Sequence, residues 1–105
     1  AVAVEDDESP SLPESFALQQ NYPNPFNAST VISYSLRRSA DIRLEIFDIL
    51  GRKVRTLVDD RQRVGSYRAH WNGKDDNQMP VASGIYLYRL KSGEAVQTRK
   101  MVYLK

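Results

Sequence analysis

The amino-acid sequence predicts an all-β fold, an immunoglobulin-like antiparallel β-sandwich of about seven strands. Three observations carry that prediction. From residue 29 onward apolar and polar residues alternate in short runs, the period of a half-buried strand. Polar, Gly-bearing or Pro-bearing turns separate these runs at short, regular spacing. No window carries the stripe of an amphipathic helix.

In chain order, residues 1–15 come first. They hold Glu5, Asp6, Asp7, Glu8 and Glu14, contain Pro10 and Pro13, and have too few apolar residues to offset ordering entropy, so they read as a flexible acidic linker. Residues 16–105 form the single folded domain. Residues 16–20 are a short strand candidate. In residues 21–27, Pro23 and Pro25 remove ladder donors while three asparagines offer side-chain partners to the backbone, which predicts an ordered edge segment plugged by Tyr22 and Phe26. Residues 29–36 place Ile32, Tyr34 and Leu36 on one face. Residues 37–41 form a turn, and Ile42, Leu44 and Ile46 repeat the alternation up to a bend at Gly51. Val54, Leu57 and Val58 break strict alternation, so residues 52–59 read as a hairpin partner with a bulge or an edge position. After a polar connection over 60–65, Tyr67, Ala69 and Trp71 face inward.

The stretch from His70 to Leu90 is the centre of this arrangement: a strand ending at Trp71, a polar turn over 72–78, and a strand from Gly84. Gly84 stands two residues before Tyr86, as around the tyrosine corner of immunoglobulin-type sandwiches, which assigns Tyr86 a structural role. Tyr86, Tyr88 and Leu90 share one face and Ile85 and Leu87 the other, so this strand is central. Ser92, Gly93 and Glu94 turn the chain into a last strand over 95–104, where Lys100 interrupts the apolar parity and leaves the faces unassigned.

Composition narrows the function. The 105 residues suffice for one small domain, and the absence of cysteine removes disulfides, thiolate metal sites and a thiol nucleophile. No apolar run is long enough to span a bilayer. The net charge of +2 hides an asymmetry: five of the 13 acidic residues precede residue 15, and all 15 Lys and Arg follow residue 36. A basic domain admits an anionic partner such as lipopolysaccharide, although basic side chains on strand exteriors also serve solubility. Nucleic acid is not expected as a partner. His70 is the only histidine, so histidine-based triads and multi-histidine metal sites lack their parts. Asp75, Asp76 and Asn77 cluster on a loop, but their order does not fit an EF-hand and Lys74 would oppose a cation; the reading is an Asx-stabilised turn, with a calcium site near Asp75 and Asp76 as its alternative. Neither a metal nor a cofactor is expected. Among the aromatic residues, Tyr22 and Tyr103 alone read as exposed.

Five stretches in order carry a resemblance: residues 18–27 (LQQNYPNPFN), 48–52 (DILGR), 71–76 (WNGKDD), 80–86 (PVASGIY) and 98–102 (TRKMV). Together they resemble the type A C-terminal sorting domain of the bacterial type IX secretion system, and the central part is similar to the immunoglobulin-like domain of the flagellar hook-capping protein. The resemblance implies a non-catalytic secretion and sorting signal at the end of a larger exported protein. Its expected partners are the outer-membrane translocon, a sorting protease and an upstream cargo domain in the same chain. The expected destination is the cell surface or the medium, by way of the periplasm and outer membrane. The family's motif positions fall on Asn24, Pro25, Phe26, Gly84, Tyr86, Gly93, Lys100 and Lys105; Ala28 stands where many relatives carry proline. Alternative readings are a carbohydrate- or lipopolysaccharide-binding accessory module and a structural spacer or assembly domain like that of the hook cap. For the surface that export machinery would read, the sequence offers an apolar patch of Ile85, Leu87, Met101 and Tyr103 beside Arg89, unless that patch packs against residues 21–27.

Overall fold

The computed structural model describes residues 16–105, so the linker expected at 1–15 lies outside the described residues. Seven strands follow one another: β1 (Phe16–Leu18), β2 (Thr30–Leu36), β3 (Ala40–Asp48), β4 (Lys53–Gln62), β5 (Gly65–Trp71), β6 (Gly84–Ser92) and β7 (Ala95–Tyr103). They make two antiparallel sheets, ordered β1-β2-β5 and β4-β3-β6-β7. The fourth strand stays with β3 instead of joining the sheet of β1, β2 and β5, unlike the constant-type immunoglobulin arrangement.

The alternation seen in the sequence decides which side of each sheet turns inward. Ile32, Tyr34 and Leu36 of β2, Ile42, Leu44 and Ile46 of β3, and Tyr86, Tyr88 and Leu90 of β6 are buried together between the sheets. Register aligns them: Leu44 pairs with Leu90 and Ile46 with Tyr88, while Ile32 pairs with Ala69. Each such side chain removed from water contributes about 1.5–3 kcal/mol, which is how so small a core holds. As expected, β6 lies inside its sheet, between β3 and β7.

β4 is an edge strand, and its register against β3 shifts between Leu44 and Glu45 and again between Ile46 and Phe47. The expected bulge is therefore present. The strand runs further than its sequence suggests, through residues read as a polar connection, because the ladder Ala40↔Gln62, Asp41↔Arg61 and Ile42↔Asp60 continues at a solvent-facing edge where polar side chains cost nothing. For the same reason β3 begins at Ala40, inside the expected turn.

Two expectations about burial need correction. Tyr22 is 80 % exposed, as its reading as an exposed aromatic has it, and plugs nothing, while its neighbour Asn21 is buried. Met101 and Tyr103 are buried with the core, so Tyr103 is not an exposed aromatic. The pairings Tyr86↔Met101 and Gly84↔Tyr103 fix the faces of β7: Met101 and Tyr103 point inward, and Lys100 and Val102 point outward.

A candidate recognition surface at one pole of the sandwich

The segment between β1 and β2 closes the free edge of β7. The Phe26 amide donates to the Val102 carbonyl at 3.0 Å, and the Leu104 amide donates to the Phe26 carbonyl at 2.9 Å. Asn24 takes the place of a strand residue with its side chain, its Oδ1 accepting from the Val102 amide at 2.9 Å. Proline has no N–H to offer at position 25, so the side-chain oxygen of Asn24 and the backbone of Phe26 satisfy this edge instead. Further back, Gln20 Nε2 donates to the Lys100 carbonyl and Arg99 Nε to the Leu18 carbonyl, at 2.8 and 2.9 Å.

Three buried residues, Tyr88, Asn21 and Thr30, lock the strap. The Tyr88 hydroxyl donates to the Gln19 carbonyl at 2.7 Å and accepts from the Asn21 amide at 2.8 Å. Asn21 Nδ2 donates to Thr30 Oγ1 and to the Pro23 carbonyl, and the Thr30 hydroxyl donates to that same carbonyl. Burial raises the pKa of the Tyr88 phenol, against the opposing effects of the Asn21 amide and the Arg99 charge. The sequence hinted at such a role for the asparagines, but partners 67 residues apart cannot be read from spacing.

Under the strap lies an aromatic cluster. The Phe26 and Tyr103 rings stack at 4.8 Å between centroids, Trp71 meets Phe26 at 5.7 Å, and Tyr86 stands edge-on to Trp71 at 5.3 Å. Trp71 Nε1 donates to the Lys74 carbonyl, and the Tyr86 hydroxyl donates to the Ala82 carbonyl four residues upstream, the bond of a tyrosine corner. Burial raises the Tyr86 pKa first, helped by the nearby Asp48 and Tyr103. Gly73 has φ +74°, and a Cβ there would come within 2.6 Å of the Tyr103 ring, so only glycine lets this turn lie on the cluster.

Four of the five motif stretches thus meet around one cluster, and the fifth joins the same pole. Asp48 pairs with Tyr86 in the ladder and organises the β3–β4 turn: its Oδ1 accepts from the Leu50 and Arg52 amides and its Oδ2 from Arg52 Nε at 2.8 Å. These bonds, led by the Arg52 amide, hold the Asp48 carboxyl below its ordinary pKa. Asp75 Oδ1 accepts from the Asn77 and Met79 amides, and Asp76 Oδ1 from the Thr56 amide, so the acidic loop braces its own turn and the edge of β4. Among the described residues, no group of three or more His, Cys, Asp or Glu is placed to hold a metal.

The remaining motif positions separate. Gly93 sits in the β6–β7 turn at the far end of the strands, about 30 Å away at strand rise. Lys100 and Lys105 are exposed, and the Lys105 amide donates to Ser83 Oγ. Asn24 and Pro25 are exposed, whereas Phe26 and Tyr86 are buried. Of the expected partner patch, Ile85, Leu87 and Arg89 lie on the outer face of the four-stranded sheet, but Met101 and Tyr103 face the core and leave it. Their places are taken by Val102, opposite Ile85, and Phe47, opposite Leu87. Arg89 covers the Phe47 ring at 4.5 Å and pairs with the buried Glu45 at 3.1 Å. This Glu45–Arg89 pair was not legible in the sequence, where Glu45 reads as an ordinary outward residue of β3.

The family model of the secretion system C-terminal sorting domain matches residues 20–104. Among solved structures, the chain is similar to PorZ, an essential bacterial surface component of the type IX secretion system of Porphyromonas gingivalis, at 19% identity and a TM-score of 0.54, over 88% of this chain and 12% of that one. It is also similar to dimeric latent PorU from Porphyromonas gingivalis, at 22% identity and a TM-score of 0.67, over 85% of this chain and 9% of that one. At these identities the likeness is one of fold. The chain spans about a tenth of the length of either structure. No curated protein matches it in sequence.

Proposed function

The chain belongs to the type IX secretion C-terminal sorting domain family, and from that membership we propose that residues 16–105 act as a non-catalytic sorting signal, delivering an upstream cargo domain through the outer-membrane translocon to the surface or the medium. A sorting protease then separates cargo from signal. The observation that carries this reading is the convergence of all five motif stretches on one pole of the sandwich. Residues as far apart as Asn24 and Val102, 78 positions, are neighbours only after folding, so a receptor that reads this pole reads the folded domain.

Burial divides the motif by role. Phe26, Tyr86 and Tyr103, with Trp71 and Gly73, build the pole from inside. Pro25, Lys100 and Lys105 stand outside, where a partner can touch them. On the adjoining sheet face, Ile85, Leu87 and Val102 form an apolar strip with Arg89 and Lys100 at its rim, and this strip is the proposed contact with the translocon; apolar centres with charged rims suit such contacts. The test is removal of residues 16–105 from the encoded protein, followed by fractionation. The remainder should accumulate in the periplasm. Unchanged delivery to the surface or medium would refute the proposal.

A further inference from the structure

The outer face of the β1-β2-β5 sheet is unlike the rest of the surface. Its floor is built from the short side chains of Ser33 and Ser35 of β2 and Ser66 of β5, with Arg68 of β5 paired to Ser33. Taller residues stand at one side: Gln19, and Tyr22, whose backbone is pinned to Val31 by two hydrogen bonds of 3.0 Å. The result is two adjoining depressions of about 580 and 340 Å³ that share Gln19, Ser33 and Arg68. Among the described residues, no carboxylate lines either one. Arg68 forms no ion pair among the described residues.

We propose that this trough binds a glycan chain carrying acidic sugars. A pyranose ring has an apolar C–H face that stacks on a phenol, and Tyr22 presents such a ring, 80 % exposed and with its backbone already fixed, so little ordering entropy is lost on binding. The sugar's hydroxyl edge meets the Ser33, Ser35 and Ser66 hydroxyls and the Gln19 amide, groups that both donate and accept. Arg68 matches a uronate carboxylate in the two-point geometry of guanidinium–carboxylate pairs, and among the described residues no lining carboxylate competes for that charge. Exposed Tyr22, which the fold does not use for its core, and the serine floor opposite it find a common purpose here.

The experiment is a titration of the 105-residue chain with an oligogalacturonate, followed by amide NMR, with a neutral malto-oligosaccharide and hexaglutamate as further probes. The oligogalacturonate should shift the amides of Ser33, Ser66 and Arg68 saturably, and binding should weaken as salt is added. Tyr22→Ala and Arg68→Gln should each weaken it about tenfold, or about 1.4 kcal/mol, without moving the unfolding midpoint, since both side chains are exposed. The neutral glycan should bind more weakly and hexaglutamate not saturably. Absence of saturable shifts with oligogalacturonate, shifts confined to the four-stranded sheet, parent-like binding by either variant, or equal affinity for the neutral glycan or hexaglutamate would each overturn the proposal.

Discussion

Replacing Tyr88 by Phe removes one oxygen atom and tests how the strap is held. Tyr88 is fully buried, and its hydroxyl serves two backbone groups, accepting from the Asn21 amide and donating to the Gln19 carbonyl. Phenylalanine keeps the ring and so leaves almost no cavity. What is lost is polar: the buried Asn21 amide is left without its partner, at about 1–3 kcal/mol, and the bond to Gln19 adds about 0.5–1.5 kcal/mol. The expected destabilisation is about 3 kcal/mol, a large share of the roughly 5–10 kcal/mol available to a domain of this size. At about 4–8 °C per kcal/mol the melting temperature should fall by at least about 10 °C. Urea unfolding followed by the emission of Trp71, the single tryptophan, reports on the cluster beneath the strap. Tyr22→Phe is the control and should be neutral. A loss below about 0.5 kcal/mol for Tyr88→Phe would mean that the strap does not depend on this hydroxyl, and the reasoning would fail.

Gly73→Ala should destabilise by about 2–4 kcal/mol, since it combines a left-handed backbone position with a Cβ pressed into the Tyr103 ring; an unchanged near-ultraviolet circular dichroism spectrum and unfolding midpoint would contradict this. Folding raises the phenol pKa values of Tyr34, Tyr86 and Tyr88, in each case mainly by burial. The unfolded phenols lose protons first, so this contribution is complete below about pH 10 and is lost as pH rises through the folded values; a denaturation midpoint that stays level to about pH 11 would be incompatible with it. Asp48, whose pKa is lowered, contributes above its ordinary carboxylate range and loses that contribution as pH falls through its folded value, which an Asp48→Asn variant should flatten on the acid side. Ile85→Ser with Leu87→Ser should abolish secretion of a fused cargo while melting within a few degrees of the parent, because both side chains lie on the outer sheet face; parent-like secretion would remove this strip as the contact.

The strand pattern was legible because period two is strong wherever one face is buried and the other wet, as in Ile32, Tyr34 and Leu36. β7 obscured its faces for a physical reason. Its inward positions Gln97 and Arg99 sit at the mouth of the sandwich, where Arg99 reaches the Leu18 carbonyl, while Val96 and Val102 point outward, so polarity does not follow the core until Met101. Residues 21–27 have no period at all. Nothing in Asn21-Tyr22 says that the amide goes in and the phenol out; that choice rests on Tyr88 and Thr30, which are distant in sequence and supply partners for Asn21. The pole could be anticipated as a set of motifs, but its geometry, with Gly73 flat against Tyr103, exists only in the fold.

The central claim is that the folded domain itself carries the sorting information. The most direct measurement fuses residues 16–105 to the C-terminus of a periplasmically exported reporter and compares the fraction reaching the surface and medium in a type IX-competent host and in the same host lacking the translocon. The account predicts delivery in the first and periplasmic retention in the second. Equal distribution of the reporter in the two hosts would contradict it.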